Sequence, residues 1–401
     1  FARDRLNQCD QVIPLREAHL EWFGRFAGER SEKLRRPDHE ATLREIDREI
    51  DNIRLALAWS LERPADMVSA QRGLELCTAM SRYWFLREHY REATAHFAAH
   101  LARSSPASAA RARCLLASAT VLWPLGDVDQ ALRSATEALE LLRTSGDDAS
   151  SPAALLTIAF LADLKGDHAH ARASLEEALA ALEARGDVAG MAHAAGNLGT
   201  LETRLGRHAE AVPRYERAIE LLRELGDEAN LAVMGRNLGY SLRWLGELGK
   251  ARELAEQSVA ILRRIGQRRH LAVSLSALAD LDLAQDRQEE ARVNALEALH
   301  LAREAGDRVT LLAVLTVLLE VEYRRRNDAT AALLLGAVEA MHQSMGIAIG
   351  EGEREAHDAR LAELRRRLTE GRCEALRARG RALRPEETME IAGGAAGPLV
   401  E

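Results

Sequence analysis

His96 and His100 are the first side chains whose spacing could support chemistry, because they are four residues apart and would share one face of a helix. Two imidazoles at that separation bind a metal ion when a third ligand joins them. The sequence contains no His-Glu-x-x-His or Cys-x-x-Cys pattern that would supply such a ligand. We therefore interpret both as surface histidines and predict no metal site.

A phosphate-binding loop has its nearest match between Trp244 and Ala251. That motif needs glycine at the first of these positions, Ser or Thr at the last, and a strand before it. Gly246 and Gly249 therefore fit a turn between two helices better than a nucleotide site. Patterns for a Ser or Cys nucleophile are also missing. We predict no catalytic residues, no cofactor, and a chain that is not an enzyme.

The composition is typical of closely packed helices. Of the 401 residues 47% are hydrophobic and only 4% aromatic, so Leu and Ala must fill the core. A net charge of −8 argues against nucleic acid as the main partner. We find no signal peptide and no apolar stretch of about 18 residues, and therefore predict no membrane span. The dispersed cysteines suit reduced thiols in the cytoplasm.

Any site must be positioned by segments that recur every 40 residues, because three series of residues keep that spacing in one register. Glycines form two of the series, with Asp286 continuing the first, and alanines form the third. The series are Gly126, Gly166, Gly206 and Gly246; Gly146, Gly186, Gly226, Gly266 and Gly306; and Ala131, Ala171, Ala211, Ala251, Ala291 and Ala331.

Segments of about 18 residues between the glycines repeat apolar residues at helical spacing. Each glycine is expected to end a helix in the left-handed conformation. Asp147, Asp187, Asp227 and Asp307 follow glycines, where they can cap the next helix or hold the turn. Helix hairpins of this kind bury their apolar faces only by stacking on neighbours. We therefore predict an all-α solenoid of helix hairpins with a 40-residue period.

Residues of these hairpins resemble the tetratricopeptide-repeat family. Leu198-Gly199 is similar to the Leu-Gly of that family's first helix, and Ala211, Tyr215 and Ala218 to the small-aromatic-small pattern of its second. The following unit keeps Leu238-Gly239. The resemblance implies a right-handed solenoid, and a period longer than the usual 34 or so residues implies longer helices.

The two ends, which break the period, resemble bacterial signal-transduction ATPases with numerous domains (STAND, NB-ARC-like), a group that includes transcriptional regulators such as the activators of maltose genes. Glu49 to Trp59 is similar to the segment after their winged helix, and Phe1 to Leu6 to the end of that winged helix. Ala331 to Glu339 and Gly380 to Glu387 are similar to their carboxy-terminal cap. The resemblance implies the tetratricopeptide sensor region of such a cytoplasmic regulator.

Four parts are predicted along the chain. Residues 1–62 would be a helical linker and cap that follows a winged-helix and ATPase region. Residues 63–345 would form a superhelix of about seven helix pairs. Residues 346–392 would be a helical cap, and residues 393–401 a disordered tail.

A binding surface is expected on the first helix of each pair, which lines the concave side of such repeats. Asn197 and Asn237 could fix a peptide backbone, although helix capping or bridging is equally open. Arg236 and Arg243 could hold a carboxylate or phosphate. Core packing is the favoured interpretation for Trp123 and for Trp244, which is matched with Leu205 of the preceding unit. The predicted surface residues are Arg113, Trp123, Phe160, His193, Asn197, Thr200, Arg236, Asn237, Tyr240, Arg243, Asp280, Glu320 and Tyr323.

We expect this groove to bind a peptide or protein partner, as the sensor module of a signalling ATPase. A free-standing scaffold that links two proteins and a receptor for a small-molecule inducer are the alternatives. In a full-length regulator the ATPase domain would be an intramolecular partner. Direct binding of nucleic acid or membrane by this chain is not expected.

Overall fold

The computed structural model describes residues 12–34, 39–62, 67–105, 108–147, 149–304, 308–345 and 351–392. All regular secondary structure in these ranges is helical, which confirms the predicted all-α class of tetratricopeptide-like helix hairpins. The expected turn at Gly306 and Asp307, the segment from Phe1 to Leu6 and the tail 393–401 lie outside the described residues.

The chain divides into two compact units, Phe1–Ala194 (unit 1) and Ala195–Glu401 (unit 2). In unit 1, two helices precede three hairpins, α3/α4, α5/α6 and α7/α8, and a short 3₁₀ turn, Trp123–Leu125, follows α5. The helices are α1 (Val12–Lys33), α2 (Glu40–Glu62), α3 (Met67–Leu86), α4 (Tyr90–Leu101), α5 (Ala109–Leu122), α6 (Val128–Ser145), α7 (Ser151–Leu164) and α8 (His168–Arg185).

Unit 2 begins within α9 (Val188–Arg204) and contains the hairpins α9/α10, α11/α12, α13/α14 and α15/α16. Three further helices, α17 to α19, follow them. The helices are α10 (His208–Leu225), α11 (Glu228–Trp244), α12 (Leu248–Arg264), α13 (Arg268–Ala284), α14 (Gln288–Glu304), α15 (Arg308–Arg324), α16 (Asp328–Met345), α17 (Glu351–Leu368), α18 (Glu370–Ala382) and α19 (Pro385–Ala392).

The turns between helices have the predicted backbone. The described glycines of both series, from Gly126 to Gly266, have φ between 65° and 85°, the left-handed region that ends a helix. Asp286 (φ 59°) and Arg326 (φ 64°) take the same conformation at later positions of the first series. Asp187 and Asp227 cap the next helix by accepting a hydrogen bond from the backbone N–H three residues later. Asp147 accepts from the N–H of Ser150 before α7 begins, and so it holds the turn.

The alanine series lies where helices cross closely. Each of its six members, from Ala131 to Ala331, is completely buried. A Cβ atom placed on Gly239 of α11 would lie 3.0 Å from the carbonyl oxygen of Ala251 on α12. At Gly199 of α9 the same atom would meet the ring of Tyr215 at 2.8 Å. The Leu-Gly and small-residue motifs therefore exist because they let the two helices of a hairpin approach each other.

Buried ion pairs join successive hairpins of unit 2. Arg252 of α12 donates through Nη1 to Oδ1 of Asp282 at 2.7 Å, and Asp282 on α13 is 0% exposed. One repeat later, Arg292 of α14 donates through Nε to Oε1 of Glu322 at 3.3 Å. A buried carboxylate is costly unless it is paired and hydrogen-bonded, so each arginine stabilises the interface that it crosses.

The carboxy-terminal helices pack on the last hairpin through two glycines. Cβ atoms added at Gly336 of α16 and Gly380 of α18 would each overlap a backbone carbonyl oxygen of the facing helix. Nearby, Glu339 of α16 accepts hydrogen bonds from Nε2 of His357 at 2.8 Å and from Nε of Arg377 at 2.8 Å. Close backbone contact and this polar cluster fix α17 and α18 against α16.

Candidate functional site

An open groove of about 1110 Å³ lies in unit 1. The first helices of its three hairpins, α3, α5 and α7, line the groove together with parts of α1 and α9. Arg113, Trp123 and His193, three residues that the sequence predicts for a binding surface, line it together. Other lining residues are Glu32, Glu75, Arg82, Phe85, Ala153 and Thr157.

Helical periodicity explains why these side chains share the groove. On α3 the lining residues Glu75, Thr78, Arg82 and Phe85 are three or four positions apart, the spacing of one helix face. Thr78 and, on α7, Thr157 donate their hydroxyl hydrogens to carbonyl oxygens of their own helices, at 2.9 Å in both cases. Their side chains therefore offer a neutral surface, and the charged groups of the groove determine its polarity.

Two aromatic rings, those of Phe85 and Trp123, line the groove, and the predicted Phe160 packs on Trp123 without lining it. The rings of Phe85 and Trp123 have centroids 6.4 Å apart, and Phe160 meets Trp123 edge-on at 5.2 Å and 76°. Trp123 also packs against the hydrophobic core of unit 1, so it is half-buried, while Phe160 is 44% exposed. Aromatic rings held in this way offer contact area with little loss of conformational entropy on binding.

Basic and acidic side chains both line the groove: Arg82, Arg113 and His193 together with Glu32 and Glu75. Arg113 forms an ion pair with Asp147 at 3.5 Å, and its side chain is 47% exposed. His193 is exposed on the same groove. The ion pair costs little to exchange for a ligand group, because exposed pairs contribute only about 0–1 kcal/mol.

In unit 2 the predicted pair Arg236 and Asn237 form a bridge with each other. Nε and Nη2 of Arg236 both donate to Oδ1 of Asn237, at 3.2 Å and 2.9 Å. Burial lowers the pKa of Arg236. Asn197, which precedes Asn237 by one repeat, is exposed. Thr200 donates its hydroxyl hydrogen to the carbonyl oxygen of Gly196 at 3.0 Å. Whether these residues bind a ligand stays a prediction.

The other predicted residues of unit 2 are engaged in ion pairs or stacking. Arg243 donates through Nη2 to Oδ1 of Asp280 at 3.2 Å, while burial raises the pKa of Asp280. Glu320 accepts from Nε of both Arg324 and Arg360 at 2.7 Å. The ring of Tyr323 is half-buried and lies under the guanidinium group of Arg367, 4.7 Å from its centroid. Binding by any of these groups would have to compete with the contacts seen here.

Trp244 is a correction, because it lies on the surface and not in the core. It is 58% exposed, one turn after the exposed Tyr240. One face of its ring stacks on His208, with centroids 5.5 Å apart and planes inclined by 2°. A step of 40 residues relates Trp244 to Arg204, which is also exposed, and this register explains its position.

The interpretation of His100 as a surface residue was also wrong. His100 is 2% exposed, and its Nε2 lies 2.8 Å from Oγ of Ser60. Its Nδ1 lies 2.7 Å from the carbonyl oxygen of His96 and 3.3 Å from Sγ of Cys77. Burial lowers its pKa. The imidazole thus ties α2, α3 and α4 together inside unit 1.

Across the described ranges no group of three or more His, Cys, Asp or Glu side chains is arranged to hold a metal ion. None of the described helices has the combined length and apolar character needed to cross a membrane.

The chain contains tetratricopeptide repeats, because the tetratricopeptide-repeat family model matches residues 150–224 and 227–304. The model of anaphase-promoting complex subunit 5 matches residues 87–151. A search of curated proteins gives no significant match.

Several solved structures are similar in fold. The Rap protein complexed with competence and sporulation factor is 14% identical, with a TM-score of 0.55 over 88% of this chain and 99% of that chain. The apo form of RapI is 10% identical, with a TM-score of 0.57 over 89% and 99% of the two chains. The STAND protein PH0952 from Pyrococcus horikoshii, which has a tetratricopeptide-repeat sensor, is 13% identical, with a TM-score of 0.55 over 79% of this chain and 50% of that chain. At these identities the similarity concerns the fold.

The sequence predictions missed the part of the groove that comes from α3. Glu75, Arg82 and Phe85 precede the 40-residue repeat, so its register does not reach them. Their own spacing was the available signal, because polar and aromatic residues at every third or fourth position define one solvent-facing stripe.

Proposed function

We propose that this chain is the partner-binding sensor module of a multidomain bacterial signalling ATPase or transcription regulator. Its ligand is an extended peptide or protein segment, bound in the groove of unit 1 that Arg113, Trp123 and His193 line. This groove is the observation on which the proposal depends. The finer context, a cytoplasmic STAND regulator with its ATPase as intramolecular partner, rests on the resemblance of the chain ends and on the similarity in fold to PH0952.

The dimensions and lining of the groove favour a chain-like ligand. Pockets for small molecules usually hold about 300–1,000 Å³, and this groove has about 1110 Å³ and is open to solvent. Aromatic rings beside basic and acidic groups offer apolar anchoring together with polar contacts along a length of chain. The acidic lining residues Glu32 and Glu75, together with the net charge of −8, disfavour nucleic acid as the ligand.

A free-standing binding protein is the second candidate. The observation that favours it is the extent of the fold similarity, which covers 99% of both Rap chains. A small-molecule inducer, of the kind that the resemblance to maltose-gene activators implies, would use the same groove. Thermal shifts measured with a metabolite library test this alternative, since a ligand at 100 times its Kd adds about 2.7 kcal/mol to the free energy of unfolding.

Selection of displayed random 12-residue peptides against the full chain tests the proposal. The chain with Ala153→Arg places a long side chain on an exposed lining position of α7 without removing any existing contact. Ala180→Arg is the matched control, on an exposed position of α8 that does not line the groove. We expect selected peptides to bind the wild type and the Ala180→Arg chain alike, and to lose at least about tenfold in affinity for the Ala153→Arg chain. Equal affinity for all three chains would exclude the groove as the binding site.

A further inference from the structure

A histidine is buried in the interior of unit 1 without an acidic partner. His100 of α4 is 2% exposed, and its ring nitrogens face the hydroxyl of Ser60 on α2 and the thiol of Cys77 on α3. Within the described residues, no Asp or Glu side chain forms a hydrogen bond or an ion pair with either nitrogen. Because a buried charge is costly unless it is paired, the imidazole is stable here only in its neutral form.

The hydrogen bonds of His100 suit this neutral ring. Its Nδ1 lies 2.7 Å from the carbonyl oxygen of His96, which can only accept, so this nitrogen carries the hydrogen. Nε2 is then the acceptor for the hydroxyl of Ser60 at 2.8 Å. When Nε2 takes up a proton, the Ser60 hydroxyl can donate instead to the carbonyl oxygen of Leu57, 2.7 Å away. Protonation therefore breaks no hydrogen-bond chain, and its cost is the buried charge itself.

The charged groups around His100 are cations or become cations in acid. On α4 the ring centroid of His96 lies 6.1 Å from that of His100, and Arg103 follows the end of the helix. On α5, Arg111 donates through Nη1 to the carbonyl oxygen of Leu101, the residue after His100. Burial lowers the pKa of His100, and the positive charges of His96 and Arg103 lower it as well. A proton on this ring would add one more positive charge to a positive environment.

The remaining titratable groups of this interior do not compensate such a charge. Burial raises the pKa of the Cys77 thiol, and it raises that of the Cys114 thiol on α5 to about 12, so both thiols stay neutral. Glu92 lies two turns before His100 on α4. Its carboxylate accepts from Nε and Nη2 of Arg54 on α2, at 2.6 Å and 2.8 Å, and is already neutralised there.

Helix α3 joins this interior to the ligand groove. On one face of α3, a Cβ atom added at Gly73 would lie 2.7 Å from Cδ2 of His100, so the helix packs directly on the imidazole. Another face of α3 carries Thr78 and Arg82, which line the groove. These groove residues therefore keep their positions only while α3 stays packed on α2 and α4.

We propose that His100 acts as an acid-sensitive release device for the unit 1 groove: its protonation loosens α3 from α2 and α4 and thereby weakens ligand binding. An opened interface exposes the ring to water, where a histidine takes up a proton below a pH of about 6.5. The packed interface resists that proton, so the open state gains relative stability as pH falls below this value. The regulation of binding rests on the proposed peptide-binding function, whereas the acid-dependent opening does not.

Amide hydrogen exchange of the full chain tests the opening. Between about pH 7.5 and about pH 5.5, the protection factors of α2, α3 and α4 should fall in the wild type by up to about tenfold more than in the His100→Gln chain. His170→Gln is the matched control at an exposed position of α8, and it should behave like the wild type. An equal fall in the wild-type and His100→Gln chains would overturn the proposal.

If the His100→Gln chain does not fold, the wild type decides alone. Its loss of protection in acid should then be larger in α2, α3 and α4 than in α6 and α8, which belong to later hairpins. A uniform loss across all these helices would contradict an opening centred on His100.

Peptide binding tests the regulation. The probe is a selected peptide without Asp, Glu or His, which does not itself titrate in this range. Affinity follows the packed fraction only where the open state is populated, so each chain is measured in the urea concentration that opens its unit 1 halfway at about pH 6. Between about pH 7.5 and about pH 5.5, the loss of affinity should be roughly threefold greater for the wild type than for the His100→Gln chain. Other histidines, such as His193 in the groove, titrate in both chains and cancel in this comparison.

The outcomes separate this proposal from the proposed function. Equal losses of affinity in the two chains would refute the release device and leave the groove as the binding site. A peptide whose affinity does not respond to Ala153→Arg would refute the groove and with it the regulation, while the exchange data would still decide the opening.

Discussion

Gly380→Ala tests whether α18 is held on α16 by direct backbone contact. A Cβ atom at this position would lie 2.9 Å from the carbonyl carbon and 3.1 Å from the Cα atom of Leu333, and closer still to its carbonyl oxygen. Carbon atoms in contact are normally about 3.5–4.0 Å apart, so the helices must separate by at least roughly half an ångström. The facing atoms belong to a helix backbone, which cannot rotate away as a side chain could.

The expected loss of stability is about 2 kcal/mol. Overpacking of a well-packed interface typically costs about 1–3 kcal/mol, and a backbone obstacle places this substitution near the upper end. The change from glycine to alanine inside a helix returns about 1 kcal/mol through helix propensity. The net effect of Gly380→Ala is therefore a loss of stability, although helix propensity alone would predict a gain.

Gly371→Ala is the matched control on the same helix, because no atom lies within 4 Å of its added Cβ atom. It should stabilise the chain by about 0.4–1 kcal/mol. Urea unfolding followed by circular dichroism gives the two changes, and amide hydrogen exchange of α16 and α18 shows where they act. If Gly380→Ala were as stabilising as Gly371→Ala, the close contact between Gly380 and Leu333 would not exist.

Three further substitutions test the polar interior. Asp282→Ala should cost about 3–5 kcal/mol in urea unfolding, since it leaves Arg252 without its buried partner; a cost below about 1 kcal/mol would contradict this role. Gly73→Ala should destabilise unit 1, because its Cβ atom would overlap Ser60 and His100; unchanged hydrogen exchange in α2 and α4 would refute this. The hydrogen bond to Glu339 raises the pKa of His357. The loss of stability in His357→Gln should therefore be largest below about pH 6 and vanish as pH rises through the raised pKa. A difference in melting temperature between the two chains that grows with pH would contradict this stabilising role of His357.

Local features of the fold could be predicted because one register repeats them. A glycine turn requires only one residue in the left-handed conformation, and an aspartate cap only a side chain near the first N–H groups of the helix. Both features therefore depend on residues that are neighbours in sequence. The close approach of α11 and α12 at Gly239 and Ala251 could be predicted for the same reason, since the two residues belong to one hairpin.

Features that depend on distant segments were not predictable in this way. His100 contacts Ser60 and Cys77 on α2 and α3, in a part of the chain that precedes the glycine and alanine series. Trp244 was misplaced because it was matched with Leu205, whereas a step of 40 residues leads to Arg204. Arg113 and His193 were related by register to one surface, but the contribution of α3 to that surface required the structure.

Photo-crosslinking from inside the groove tests the central claim most directly. With benzoylphenylalanine in place of Thr157, which lines the groove, a selected peptide should be crosslinked and identified by mass spectrometry. The same probe at Ala180, which does not line it, should give no crosslink. Crosslinking from Ala180 but not from Thr157 would contradict the assignment of the unit 1 groove as the ligand-binding surface.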